Sequence, residues 1–239
     1  MKHIETYTTR WHDTDAFRRV RPTQILVYMQ ETSNRHMAAM GKTLDALRDE
    51  DGLAFLLSRI RLELCAPLYM GEEITVETWT CESRGFGFLR YYRVLRGEEV
   101  IAKAETVWAL LRLSDRRLCR NDSVDLGFVN DEAPEVLSIP TRFRVPKTEE
   151  LTLWGERPIR YSDLDYNMHM NNTRYADMLC DYLPLDEVGQ IKGMSLAYLH
   201  EAGYGQTVSV YGCRKGDGYD VRTVNREGEA CLEAEIILA

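Results

Sequence analysis

The chain has 239 residues, 44% of them hydrophobic and 28% charged, which suits one large globular unit or two small ones. Its net charge of −8 argues against general nucleic-acid binding, and its longest apolar runs, such as Val107–Leu111, are far too short for a membrane-spanning helix. Six cysteines (Cys65, Cys81, Cys119, Cys180, Cys213 and Cys231) without a CxxC pair or metal-ligand spacing, and an opening stretch without an apolar signal core, predict a reduced, cytoplasmic protein.

Taken in chain order, a short strand over Ile4–Arg10 runs into the turn-like Asp13-Thr14-Asp15. Pro22 then suits the first turn of a helix. Ile25, Leu26, Met29, Ser33, His36, Met37 and Met40 recur at three- and four-residue spacing, as one buried helical face requires, and Gly41 follows as a C-terminal stop. The pattern next switches to period two. Ile74, Val76 and Thr78 alternate with Thr75, Glu77 and Trp79, and Leu89–Leu95 and Val100–Leu111 read as longer strands. Residues 121–147 carry Pro134, Pro140 and Pro146 and no sustained period, so they form an interdomain connection. Their Leu126, Phe128, Val129, Leu137, Ile139 and Phe143 predict that this connection lies against the folded body.

After it the first pattern returns. Arg10-Trp-His-Asp13-Thr-Asp15 superposes on Arg160-Tyr-Ser-Asp163-Leu-Asp165, and Thr23 falls on Thr173. Glu63 to Gly71 falls on Ala197 to Gly205, and Ala104-Glu105 falls on Ala234-Glu235. The shared order of these matches predicts two copies of one unit. Each copy is a strand, a turn, a helix and a run of antiparallel strands: an α+β fold with the sheet wrapping the helix. The second copy has a strand over Leu153–Tyr161 and a shorter helix over about Asn171–Asp181, with Tyr175, Met178 and Leu179 inward.

The densest chemistry lies between that strand and helix, in Asp163-Leu-Asp165-Tyr-Asn167-Met-His169-Met-Asn171-Asn172-Thr-Arg-Tyr175. Alternation puts Asp165, Asn167 and His169 on one side of an extended loop. First-turn N–H groups of the following helix point back at the loop, a combination suited to polarising a carbonyl and stabilising an oxyanion. Histidine moves protons near neutral pH, and a carboxylate orients it or activates water. Asp13 and Asp163, by contrast, read as N-caps of the helices that follow, favourably placed at the helix dipoles.

This DxDxNxHxNNxxY run resembles the signature of hotdog-fold thioesterases, and its place in the second of two copies is similar to the acyl-carrier-protein thioesterases of plants and bacteria. The resemblance implies a pseudo-dimer of two tandem hotdog units. It implies hydrolysis of fatty acyl thioesters on acyl carrier protein to free fatty acids, with no metal or organic cofactor and a monomeric or homodimeric protein. It also implies a catalytic set of Asp165, Asn167 and His169, joined by Glu201 from a downstream Glu-Cys pair. Here that pair is Glu201-Ala202, so water rather than cysteine is the expected nucleophile, with either Glu201 or Asp165 as its base. In the first copy, Phe17, Arg19 and Pro67 stand where Asn167, His169 and Glu201 stand in the second. The expected division is therefore a non-catalytic hotdog at 1–120 that accommodates the acyl chain, the connection at 121–147, and a catalytic hotdog at 148–239. Met29, Met37 and Met40, with Phe55, Leu57 and Trp108, are the candidate lining of the acyl tunnel. The competing expectations are the same chemistry on acyl-CoA, a non-catalytic acyl-binding protein and a hotdog dehydratase.

Overall fold

A computed structural model describes residues 2–82 and 85–239. The first half comprises β1 (His3–Thr8), α1 (Pro22–Ala39), α2 (Leu44–Asp49), β2 (Leu53–Leu64), β3 (Glu73–Cys81), β4 (Gly87–Arg96), β5 (Glu99–Arg112) and β6 (Arg117–Cys119). The second comprises β7 (Thr152–Pro158), α3 (Arg174–Asp181), α4 (Leu185–Val188), β8 (Ile191–Tyr198), β9 (Thr207–Lys215), β10 (Gly218–Val224) and β11 (Ala230–Leu238). Among the described residues all strands join one antiparallel sheet in the order β1-β3-β4-β5-β2-β8-β11-β10-β9-β7, with β6 paired to β5. That order is a palindrome about the β2–β8 seam, where Arg59–Glu63 pair with Ala197–Gly193. The repeat read in the sequence is thus two sheet-wrapped helices placed edge to edge.

Pro22 occupies the first turn of α1 behind an extended Arg21, and Gly41 takes a φ of +75° just past the helix. Ile25, Leu26, Met29, Ser33, His36 and Met37 are buried as their spacing predicts, while Met40 is only partly buried at the C-cap. α3 begins at Arg174 rather than Asn171, because the Asn171 side chain turns back to accept from the Thr173 N–H at 2.9 Å. α2 was not expected from the sequence. It is one and a half turns long, capped by Thr43, whose hydroxyl accepts from the Ala46 N–H at 3.1 Å, and it anchors itself with the fully buried Leu47.

The connection covers the outer face of the sheet. The Trp79 indole donates to the Ala133 carbonyl at 2.9 Å, and Arg61 donates to the carbonyls of Ile139 and Pro140 at 2.7 and 3.0 Å. Arg93 pairs with Glu135, and Ile139 is buried. A Cβ on Gly193 would stand 2.8 Å from the Ile139 side chain, so only glycine admits this close approach. This cover is why Trp79, on the face opposite Ile74 and Val76, is itself 2% exposed and breaks the expected in-out alternation. Val129 and Val136 are exceptions among the connection's apolar residues and stay exposed. No helix among the described residues is long and apolar enough to cross a membrane.

Candidate active site

Both copies build the same loop after their first strand. Asp13 closes a short 3-10 turn by accepting from the Arg10 N–H at 2.6 Å, and Asp163 does so from the Arg160 N–H at 2.8 Å. Both carboxylates are buried, and Arg157 donates to Asp163 at 2.7 Å; the first aspartate of each pair closes its own turn and, against expectation, does not cap the helix that follows, whose N-cap positions fall at Arg21 and Thr173. The second aspartate clamps the loop that follows. Asp15 Oδ1 accepts from the N–H groups of Phe17 and Arg19 at 2.8 and 3.0 Å; Asp165 Oδ1 accepts from those of Asn167 and His169 at 2.8 and 3.3 Å. The clamp forces a left-handed residue in each loop, Arg18 at φ 63° and Met168 at φ 65°.

The copies diverge in what the clamped loop presents. In the first, Arg19 donates to the Gly189 carbonyl beside α4, and Phe17 packs against the same glycine, so that loop is spent joining the halves. In the second, the His169 backbone bridges to Gly203, and the Met170 N–H donates to the Ala202 carbonyl at 2.8 Å. This backbone pairing carries Glu201 to the histidine: Glu201 Oε2 lies 3.5 Å from His169 Nδ1. Asp165, Asn167, His169 and Glu201 come together at one cavity of about 650 Å³, and the Asn167 side-chain amide has no hydrogen-bond partner among the described residues. Tyr198 donates its hydroxyl to the Asn172 carbonyl at 2.8 Å and fixes the segment leading into α3.

The cavity crosses the seam. Its polar mouth belongs to the second copy, whereas Val27, Ser33 and Met37 of α1, Leu44 and Leu47 of α2, and Phe55, Phe88 and Trp108 of the sheet line its body in the first. Of the expected tunnel residues, Met37, Phe55 and Trp108 line this cavity. Met29 and Leu57 line a small adjoining pocket of about 20 Å³, and Met40 lines neither. Sequence reasoning missed Arg48, Thr80, Arg90 and Arg116, which also line it, because charged and hydroxyl side chains on a helix or strand give no periodic signal of a cavity wall. Arg48 stands over the Tyr166 ring at 5.7 Å and frames the mouth.

A cysteine nucleophile finds no support in this geometry. Ala202 is 1% exposed and part of the hydrophobic core, so the side chain after Glu201 points away from the cavity surface. The Cys180 thiol is pushed up to about 12, first by burial and then by Asp177 and Asp181, which keeps it protonated. All six cysteines are unpaired, and no group of three or more His, Cys, Asp or Glu among the described residues is arranged to hold a metal.

Residues 1–124 match the family model of the acyl-ACP thioesterase N-terminal domain, and residues 147–236 match that of its C-terminal domain. The chain belongs to the acyl-ACP thioesterase family. It is similar to the chloroplastic palmitoyl-acyl carrier protein thioesterase of Arabidopsis thaliana, at 25% identity over 234 residues, covering 89% of this chain and 56% of the relative. A second Arabidopsis thaliana relative is the chloroplastic oleoyl-acyl carrier protein thioesterase 1, at 23% identity, with 84% of this chain and 60% of the relative covered. The chain spans about half the length of the curated relatives it matches. Among solved structures, an acyl-ACP thioesterase from Bacteroides thetaiotaomicron superposes with a TM-score of 0.89 at 21% identity, over 100% of this chain and 98% of that one. The 12:0-ACP thioesterase of Umbellularia californica gives 0.84 at 19% identity, over 100% and 97%. These matches share the tandem hotdog fold of the acyl-ACP thioesterase family with the present chain.

Proposed function

We propose that this protein hydrolyses fatty acyl thioesters carried on acyl carrier protein and releases the free fatty acid. The single observation that carries the reading is the Glu201–His169 pair at 3.5 Å, set beside Asp165 and Asn167 at the mouth of a largely apolar cavity. The names of the family's curated relatives support the substrate class. Residues 1–120 supply the chain-binding wall, residues 121–147 the outer strap, and residues 148–239 the reacting groups. Free cysteines throughout favour a reducing compartment such as the cytoplasm.

In this reading the acyl chain lies along α1 and the thioester carbonyl sits at the mouth. Glu201 accepts a proton from water as that water attacks the carbonyl carbon. His169, beside Glu201, orients the carboxylate and passes the proton to the departing thiolate. The Asn167 amide donates to the developing oxyanion. Asp165 holds Asn167 and His169 in register through Oδ1, and its charge beside them stabilises the imidazolium formed as His169 carries the proton. The reaction breaks the C–S bond, forms a C–O bond and needs no cofactor.

A hydrolysis assay across acyl-carrier substrates of varied chain length, with matched acyl-CoA substrates alongside, tests the proposal. The wild type releases free thiol from the carrier series, and His169→Ala and Glu201→Gln each lower turnover by ~10² or more, the usual scale for acid–base groups. Absence of hydrolysis on every thioester would refute the reading. Faster turnover of acyl-CoA than of the matched carrier substrate would reassign the substrate.

A further inference from the structure

The wall of the cavity farthest from the second copy is polar. β4 lies two strands from the β2–β8 seam on the first-copy side, and β3 lies three, about 10 and 14 Å beyond β2 at ordinary strand spacing. There Arg90 of β4 and Thr80 of β3 face each other in register and both line the cavity. Their relative exposures are 5% and 4%.

Among the described residues Arg90 has no carboxylate partner. Its Nη1 donates to His36 Nδ1 at 3.0 Å and to Thr78 Oγ1 at 3.1 Å, and its guanidinium lies 5.6 Å from the centre of the Phe128 ring. Nε and Nη2 have no partner among the described residues, and the Thr80 hydroxyl is buried without one. Glu31 also lines the cavity, but it is exposed on α1 and forms no ion pair with Arg90. Buried charges are normally paired, because leaving water without a counter-charge is costly. Here the fold already holds the cation largely buried and without a counter-charge, so an incoming anion meets an uncompensated charge.

We propose that Arg90 and Thr80 form a distal subsite for an oxygen function at the far end of the acyl chain, and that its preferred occupant is a terminal carboxylate. The Nε–Nη2 edge of a guanidinium matches a carboxylate bidentately, and the unpartnered Thr80 hydroxyl supplies a further donor on rotating toward the cavity. A methyl-ended chain reaching this wall leaves all three groups unpaired, whereas a terminal hydroxyl satisfies one donor without neutralising the charge. The proposal rests on the thioesterase reading above for the orientation of the chain, with its thioester at His169 and its free end at Arg90.

The test compares kcat/KM on carrier thioesters paired by length, one methyl-ended and one ω-carboxylated, for wild type, Arg90→Met and Thr80→Val. In the wild type the ω-carboxylated member at the best-fitting length exceeds its partner by about tenfold or more, the scale of one charge-assisted hydrogen bond. That ratio falls to one or below in Arg90→Met, and to an intermediate value in Thr80→Val, a substitution that preserves side-chain volume. A wild-type ratio of one or below overturns the proposal whether or not Arg90→Met folds, and so does a ratio that Arg90→Met leaves intact. If no thioester of either kind is hydrolysed, the functional reading has failed. The subsite is then judged by equilibrium binding of a free α,ω-dicarboxylic acid against the monocarboxylic acid of equal length. Tighter binding of the diacid sustains it, and equal or weaker binding overturns it.

Discussion

Asp165→Asn and Asp15→Asn form a matched pair that separates chemistry from scaffolding. Each wild-type carboxylate accepts two backbone N–H bonds, at 2.8 and 3.3 Å for Asp165 and at 2.8 and 3.0 Å for Asp15, and an asparagine oxygen can accept the same two. Replacing a charged acceptor by a neutral one weakens such bonds by about 1 kcal/mol each when buried, and both loops are partly exposed, so each variant should lose on the order of 1 kcal/mol of stability. Turnover should divide them. Asp15 sits in a loop whose Phe17 and Arg19 only join the halves, so Asp15→Asn should keep kcat within about twofold. Asp165→Asn removes a negative charge from the mouth while keeping the loop, and should lower kcat by ~10² or more. Denaturant unfolding and initial rates on the same preparations supply both numbers. Equal turnover losses in the two variants, or full activity in Asp165→Asn, would show that Asp165 is only a clamp like its counterpart and that its charge does nothing for the reaction.

Three further outcomes follow from the geometry. Cysteine-blocking reagents should modify the exposed Cys65 and leave hydrolysis largely intact, because Cys180 stays protonated and Ala202 has no thiol; rapid thiol-dependent inactivation would contradict the water mechanism. His36 is held down to about 4, from an ordinary 6.5, by burial, then by Arg90 and His3. Between those values the unfolded chain binds a proton that the folded chain refuses. Stability from this residue is therefore complete above pH 6.5 and declines by about 3 kcal/mol as pH falls to 4. Asp181 and Asp220, raised by burial, act with the opposite sign but are common to wild type and His36→Gln, so the difference between the two unfolding profiles isolates the histidine; parallel profiles would refute the assignment. Arg61→Met should cost about 2–3 kcal/mol, since it leaves the carbonyls of Ile139 and Pro140 without their donor while Glu105 keeps Arg59 and Tyr91, and a loss below 1 kcal/mol in denaturant unfolding would show that the strap contributes little.

What the sequence determined by itself was whatever depends on local pattern. The spacing of Ile25 to Met37 made α1, the period-two runs made the strands, and the superposition of Arg10–Asp15 on Arg160–Asp165 announced the duplication. Asp165, Asn167 and His169 were legible because one loop holds all three, and Glu201 was legible only through resemblance, since an isolated acid on a turn has no distinguishing pattern. The tertiary structure decided the rest, because it depends on contacts between segments distant in sequence. The pairing of His169 with Gly203 brings Glu201 to the histidine, and the β2–β8 seam lets a mouth built by one copy open into a cavity built by the other. The strap buries Trp79 against its in-out alternation, and Arg90 lines a cavity wall that no window of neighbouring residues could reveal. Periodicity records which face of an element is buried; what lies against that face is fixed only when the whole chain has folded.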